Sequence, residues 1–132
     1  MTISPQLNAL SVVVQDMGRS MAFYRLCGLP IPDRAATESH VEVALGEDFR
    51  IQFDTVEVVR SFDPEWSPPT GGHRMALAFA CDTPAEVDST HAELLAAGHP
   101  SHLAPFDAVW GQRYATVQDP DGNPVDFYAP LG

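Results

Sequence analysis

His40, Glu42, Arg50, Gln52 and Asp54 are close in sequence and fall at alternate positions, the spacing that places side chains on one face of extended chain. An imidazole that titrates near neutral pH, flanked by two carboxylates, an amide and a guanidinium, can hydrogen-bond a ligand or move a proton. A second group is aromatic. Trp66 and Trp110 lie in predicted loop or edge segments, where an indole offers a flat face to a quinone or heteroaromatic ring. Such stacking adds about 0.5–1.5 kcal/mol beyond the area buried. The competing role for either indole is dimer packing or a lid over the core. Gln112 and Asp54 supply hydrogen bonds that would orient a bound molecule, and Phe53, Tyr114 and Asp126 complete the candidate ligand-binding set.

These residues need strands to present them. His40 to Leu45 alternates, with Val41, Val43 and Leu45 on one side and His40, Glu42 and Ala44 on the other, before Gly46-Glu47-Asp48 turns the chain. Arg50 to Asp54 sets Ile51 and Phe53 against Arg50, Gln52 and Asp54. Two neighbouring strands thus present a polar inner surface, and curvature would make it a cleft. Upstream, Leu10 to Val14 reads as a strand, and Asp16 as the N-cap of a helix carrying Met17, Met21, Tyr24 and Leu26, stopped by Gly28 and Pro30. The order then repeats. Met75, Leu77, Phe79 and Cys81 alternate, Thr83-Pro84-Ala85-Glu86 is a capping box, and Val87, His91, Leu94 and Leu95 recur at helical spacing up to Gly98 and Pro100. Tyr114 to Val117 and Val125 to Tyr128 follow as strands, joined by an Asp119-Pro120-Asp121-Gly122-Asn123 turn.

The expectation is an α+β fold in a single domain, with a first module over about residues 7–60, a Pro/Gly-rich linker over 61–73 and a second module over about 74–130. At 132 residues and 45% hydrophobic content the chain supports one real core. A net charge of −11 disfavours nucleic acid and anionic membrane surfaces as partners. The start of the sequence lacks the pattern of a signal peptide, and no apolar run nears the roughly 20 residues of a membrane span, so the expected location is cytoplasmic. Cys27 and Cys81 form no CxxC pair and read as small buried hydrophobes. Among His40, His73, His91, His99 and His102 there is no HxH or HxxxH spacing. His91 and His99, on a helix and its cap, read as solvated or hydrogen-bonded. No phosphate loop, nucleophile elbow or Cys/His pairing is present.

Two β-α-β-β-β modules, with Asp16, Phe23 and Tyr24 early and Asp119-Pro120-Asp121-Gly122-Asn123 late, resemble the vicinal oxygen chelate superfamily, which includes glyoxalase I, extradiol dioxygenases and bleomycin-resistance proteins. Pro68-Pro69-Thr70-Gly71-Gly72-His73, Trp110 to Tyr114 and Ala129-Pro130-Leu131 are similar to its mitomycin-resistance, drug-binding members. The resemblance implies curved mixed sheets and a homodimer in which modules exchange between chains. Metalloenzymes of the superfamily draw one ligand from each of four strands, and the matching positions here are Ala9, Gln52 or its neighbour, Ala76 and Asp126. Two alanines leave too few donors for a catalytic divalent ion, so no metal, cofactor or catalytic residue is assigned. The function this implies is sequestration of a hydrophobic, aromatic antibiotic or natural product in a dimer-interface cleft. The alternatives are a metal-dependent lyase or dioxygenase whose ligands lie elsewhere, and a metal-free enzyme using Asp126, His40 or Glu42 as base.

Overall fold

A computed structural model describes residues 5–132. The elements run β1 (Ala9–Val14), α1 (Met17–Leu26), a short 3-10 turn (Ala35–Thr37), β2 (His40–Ala44), β3 (Arg50–Thr55), α2 (Val56–Phe62), β4 (Leu77–Ala80), α3 (Pro84–Ala96), β5 (Ser101–Asp107), β6 (Gln112–Gln118) and β7 (Pro124–Pro130). The first sheet is ordered β1-β3-β2 and the second β4-β7-β6-β5. In each, the strand before the helix pairs parallel with the last strand of its module, β1 with β3 and β4 with β7. This is the expected α+β architecture of two curved mixed sheets. No helix of the described residues is long and apolar enough to cross a membrane.

The helix starts follow from their caps. Asp16 accepts from the Arg19 amide at 3.0 Å, and Thr83 from the Glu86 amide at 3.2 Å, each satisfying a donor that the first turn leaves free. Strand parity then buries one side of each sheet. Ile51, Phe53, Val41 and Val43 join Met17, Met21, Phe23 and Tyr24 of α1, while Ala115, Val117, Val125 and Phe127 meet Val87 and Leu94 of α3, all in one continuous core.

The modules are less alike than their shared plan predicts. Among the described residues the second has four strands and the first three: where β5 would correspond, the chain runs from Pro30 into the 3-10 turn Ala35–Thr37, with Ala35 buried. Pro30 and Pro32 withhold two backbone donors there, which disfavours a ladder. The expected linker also begins later. Thr55 caps α2, which runs through Ser61 and Phe62 because neither Pro nor Gly occurs before Pro64. β5 carries little hydrophobic alternation and gave no strand signal. It is an exposed edge, with Pro105 within it and register shifts on either side of Leu103.

The two modules are joined by a buried polar contact. Asp119 is 2% exposed, and its carboxylate accepts from the Tyr24 hydroxyl at 2.6 Å, the Asp121 and Asn123 amides at 2.9 and 2.8 Å, and the Asn123 side-chain amide at 2.9 Å. Burial, and then the Asp119 charge, push the Tyr24 phenol far above its ordinary value, so it stays a donor. Asp121 reaches back to the Gln15 amide at 3.0 Å and the Ser20 hydroxyl at 3.3 Å. Gly122, at φ +85°, closes the turn with its amide on the Asp119 carbonyl. The Asp-Pro-Asp-Gly-Asn segment, expected to be only a turn, is the bolt between the halves. Tyr24→Phe removes one donor from a buried carboxylate, and is expected to lower the unfolding free energy by about 1–3 kcal/mol in urea titrations.

Candidate functional site

The surfaces facing away from the core carry the candidate residues. On the first sheet, register pairs His40 with Asp54 and Glu42 with Gln52. His40 Nδ1 lies 2.5 Å from Asp54 Oδ1, and its Nε2 lies 2.8 Å from Glu42 Oε2. Arg50 Nε sits 2.9 Å from Glu42 Oε1 without a well-aimed hydrogen bond, and Gln52 donates to the Ser11 hydroxyl at 2.6 Å. Both ring nitrogens of His40 are therefore held by carboxylates. The bond to Glu42, then that to Asp54, raises the His40 pKa, and His40 in turn lowers that of Glu42. The polar surface read from alternation is present, with His40, Glu42, Arg50 and Asp54 joined in one network and Gln52 held apart by Ser11.

The second sheet is built differently. Tyr114, Thr116, Asp126 and Tyr128 share its outer face, with Asp126 opposite Thr116 on β6 and Ala78 on β4. Asp126 accepts from the Tyr114 hydroxyl at 2.5 Å and from Thr116 at 2.7 Å. Burial, then this carboxylate, push the Tyr114 phenol up to about 12. Trp110 stands in the β5–β6 turn, closed by the Gly111 amide on the Ala108 carbonyl with Gly111 at φ +91°. Its indole is 58% exposed and donates to Gln112 Oε1 at 2.8 Å. Phe106, Trp110 and Tyr114 meet edge to face, with centroids 5.4–6.3 Å apart. Beside Asp126 and Tyr128 lie the exposed methyl groups of Ala78 and Ala80. The result is an aromatic wall and an alanine floor, with Asp126 and Tyr128 between them.

Two candidates fall outside these faces. Phe53 is fully buried against Tyr24, because its odd offset from Gln52 and Asp54 turns it to the core, so it cannot line a cleft. Trp66 is half-buried beside α2. Arg60 sits over its ring at 5.7 Å and donates to its carbonyl at 3.2 Å, which separates it from the aromatic wall. Phe106 and Thr116 belong to the second face but were not singled out from sequence. Phe106 lies on the unforeseen edge strand β5, although the even spacing of Thr116 from Tyr114 could have placed it. Between the sheets, a hollow of about 220 Å³ is lined by Leu10, Ser11, Val12, Met75, Ala76 and Pro124, among others.

The donor set does not fit a catalytic metal. Ala9 and Ala76 bring only methyl groups, which leaves the Gln52 amide oxygen and the Asp126 carboxylate, two donors where a catalytic divalent ion takes about three protein ligands. His73, three residues before Ala76, lies against His102, with centroids 6.1 Å apart. Among the described residues, no cluster of three or more His, Cys, Asp and Glu is arranged to hold a metal ion.

The His40 network has a pH signature. A raised folded-state pKa means that its contribution to stability is complete below the unfolded value of about 6.5, and is lost as pH rises through the folded value. The NMR titration midpoint of His40 is expected above 6.5, to drop in Asp54→Asn and to drop further in Glu42→Gln. The loss of thermal stability in Asp54→Asn should be larger at about pH 6 than at about pH 9.

The geometry has counterparts. The sequence matches no curated protein. A solved glyoxalase/bleomycin resistance protein/dioxygenase family enzyme from Burkholderia phytofirmans PsJN superposes with a TM-score of 0.80 at 22% identity, over 96% of this chain and 100% of that one. A hypothetical protein from S. aureus gives 0.77 at 20% identity, covering 97% and 95%. A lactoylglutathione lyase from Agrobacterium tumefaciens gives 0.65 at 20% identity, covering 96% and 95%. At these identities the likeness establishes the fold alone. The family model of the glyoxalase/bleomycin resistance protein/dioxygenase superfamily matches residues 6–127. With its paired modules and nearly full-length match, this chain belongs to that superfamily.

Proposed function

We propose that this protein is a metal-free binding protein that sequesters a hydrophobic aromatic antibiotic or natural product, in a cleft completed by a second copy of the chain. The observation that carries this reading is the open wall of Phe106, Trp110 and Tyr114 beside the alanine floor. Three large rings at a surface cost solvation that a flat ligand recovers by stacking, and Leu103 and Val109 extend the exposed apolar area around them. The donor set supports binding without a metal, since two of the four positions that would ligate one carry methyl groups. A second chain would cover the face and enclose the ligand, a role in keeping with its openness. The similarity in sequence segments to mitomycin-resistance proteins supports a drug as the ligand.

His40 between two carboxylates favours a second reading, a metal-free enzyme in which Asp54, His40 and Glu42 pass a proton. The two are separable by recovering the bound compound: sequestration returns it chemically unchanged after long incubation, and turnover does not.

A planar quinone drug is expected to quench tryptophan emission with saturation, and Trp110→Ala to weaken its affinity by about tenfold, an energetic loss of about 1.4 kcal/mol. Unchanged affinity in that variant removes Trp110 from the site. About one equivalent of divalent metal per chain in protein purified without chelators would overturn the metal-free reading.

A further inference from the structure

The second sheet's open face is electrically one-sided. Asp126 is its carboxylate, and an ionised carboxylate accepts about four hydrogen bonds. Tyr114 and Thr116 supply two of them, and both donors come from β6. On the other flank Asp126 pairs with Ala78 of β4, whose methyl group offers no donor. No ion pair to Asp126 occurs among the described residues. Arg113, the cation of β6, has the opposite parity and is held by Asp88 of α3 and Asp107 of β5, at 3.0 Å each. The carboxylate thus has acceptor capacity to spare, with the methyl group of Ala78 on one flank and the half-buried ring of Tyr114 on the other.

We infer that the ligand of this face is a planar aromatic cation, whose ring lies over Ala78 among the rings of Tyr114 and Tyr128, with Trp110 at its border, and whose N–H group donates to Asp126. This rests on the reading of the face as the ligand-binding surface. Each part of the site then has one task. The flat floor accepts a fused ring without steric selection, and the indole face attracts positive charge through its quadrupole. Asp126 reads the N–H, and a charge-assisted hydrogen bond is stronger than one between neutral groups. A net charge of −11 raises the local concentration of cations around the molecule. Neutral rings of equal shape keep the stacking and lose the ion pair, and anionic rings meet repulsion.

Three probes of similar outline test this with the full chain: 9-aminoacridine, a cation at neutral pH, neutral acridone, and anionic acridine-9-carboxylate. Calorimetric titration is expected to rank them in that order, with the cation about tenfold tighter than acridone or more, as a hydrogen bond to a charged group predicts. Asp126→Asn, which keeps the shape and a hydrogen-bonding side chain, should shrink the preference to about twofold or less. Equal affinity of the cation and acridone for the unaltered protein overturns the charge assignment and leaves aromatic binding standing. If none of the three binds or alters Trp110 emission, the binding reading itself fails. The comparison in the unaltered protein decides the matter even if the variant does not fold.

Discussion

A single buried carboxylate holds the two halves in register. Asp119 is loaded with four donors, one from the helix of the first module and three from its own turn. A buried charge is tolerated only when it is so satisfied, and losing a donor leaves a penalty larger than the bond's own net worth. Because Tyr24 is also a core residue packed on Phe23 and Phe53, the polar bolt and the apolar core constrain each other. Once α1 is fixed to the β6–β7 turn, β1 and β4 are brought near one another and the sheets turn their uncovered faces away from the shared core.

What each uncovered face carries follows from parity. Alternation along β2 and β3 places His40, Glu42, Arg50, Gln52 and Asp54 together, and alternation along β6 and β7 does the same for Tyr114, Thr116, Asp126 and Tyr128. That rule is local, which is why the polar network was legible in the sequence before any tertiary contact was known. The rule also settles Phe53, whose single odd offset outweighs its aromatic character. The helices were legible for a similar reason, since Asp16 and Thr83 act within one turn of their own chain.

The parts that escaped the sequence depend on distant partners. β5 is exposed along most of its length, so burial left no pattern in it; its strand character comes from pairing with β6. The turn from Asp119 to Asn123 spells its own conformation, but its acceptance of Tyr24 joins residues far apart in the chain. Stacking and packing both remain open for Trp66 in the sequence, because the guanidinium that covers it comes from α2, a helix extending further into the proline-rich segment than its composition suggests. The aromatic wall combines both kinds of information. Trp110 and Tyr114 are close in sequence, and Phe106 joins them only across the β5–β6 pairing.

The irregular edge at β5 bears on how this molecule can fail. An open sheet edge is a template on which a second strand can add, and repeated addition leads to fibrils. Here the slips in register on either side of Leu103 break the even row of donors and acceptors, and Pro105 removes one donor altogether. Strand addition is therefore disfavoured along the border nearest the exposed rings. The exposed apolar surface around those rings is thus kept from open-ended growth along this edge.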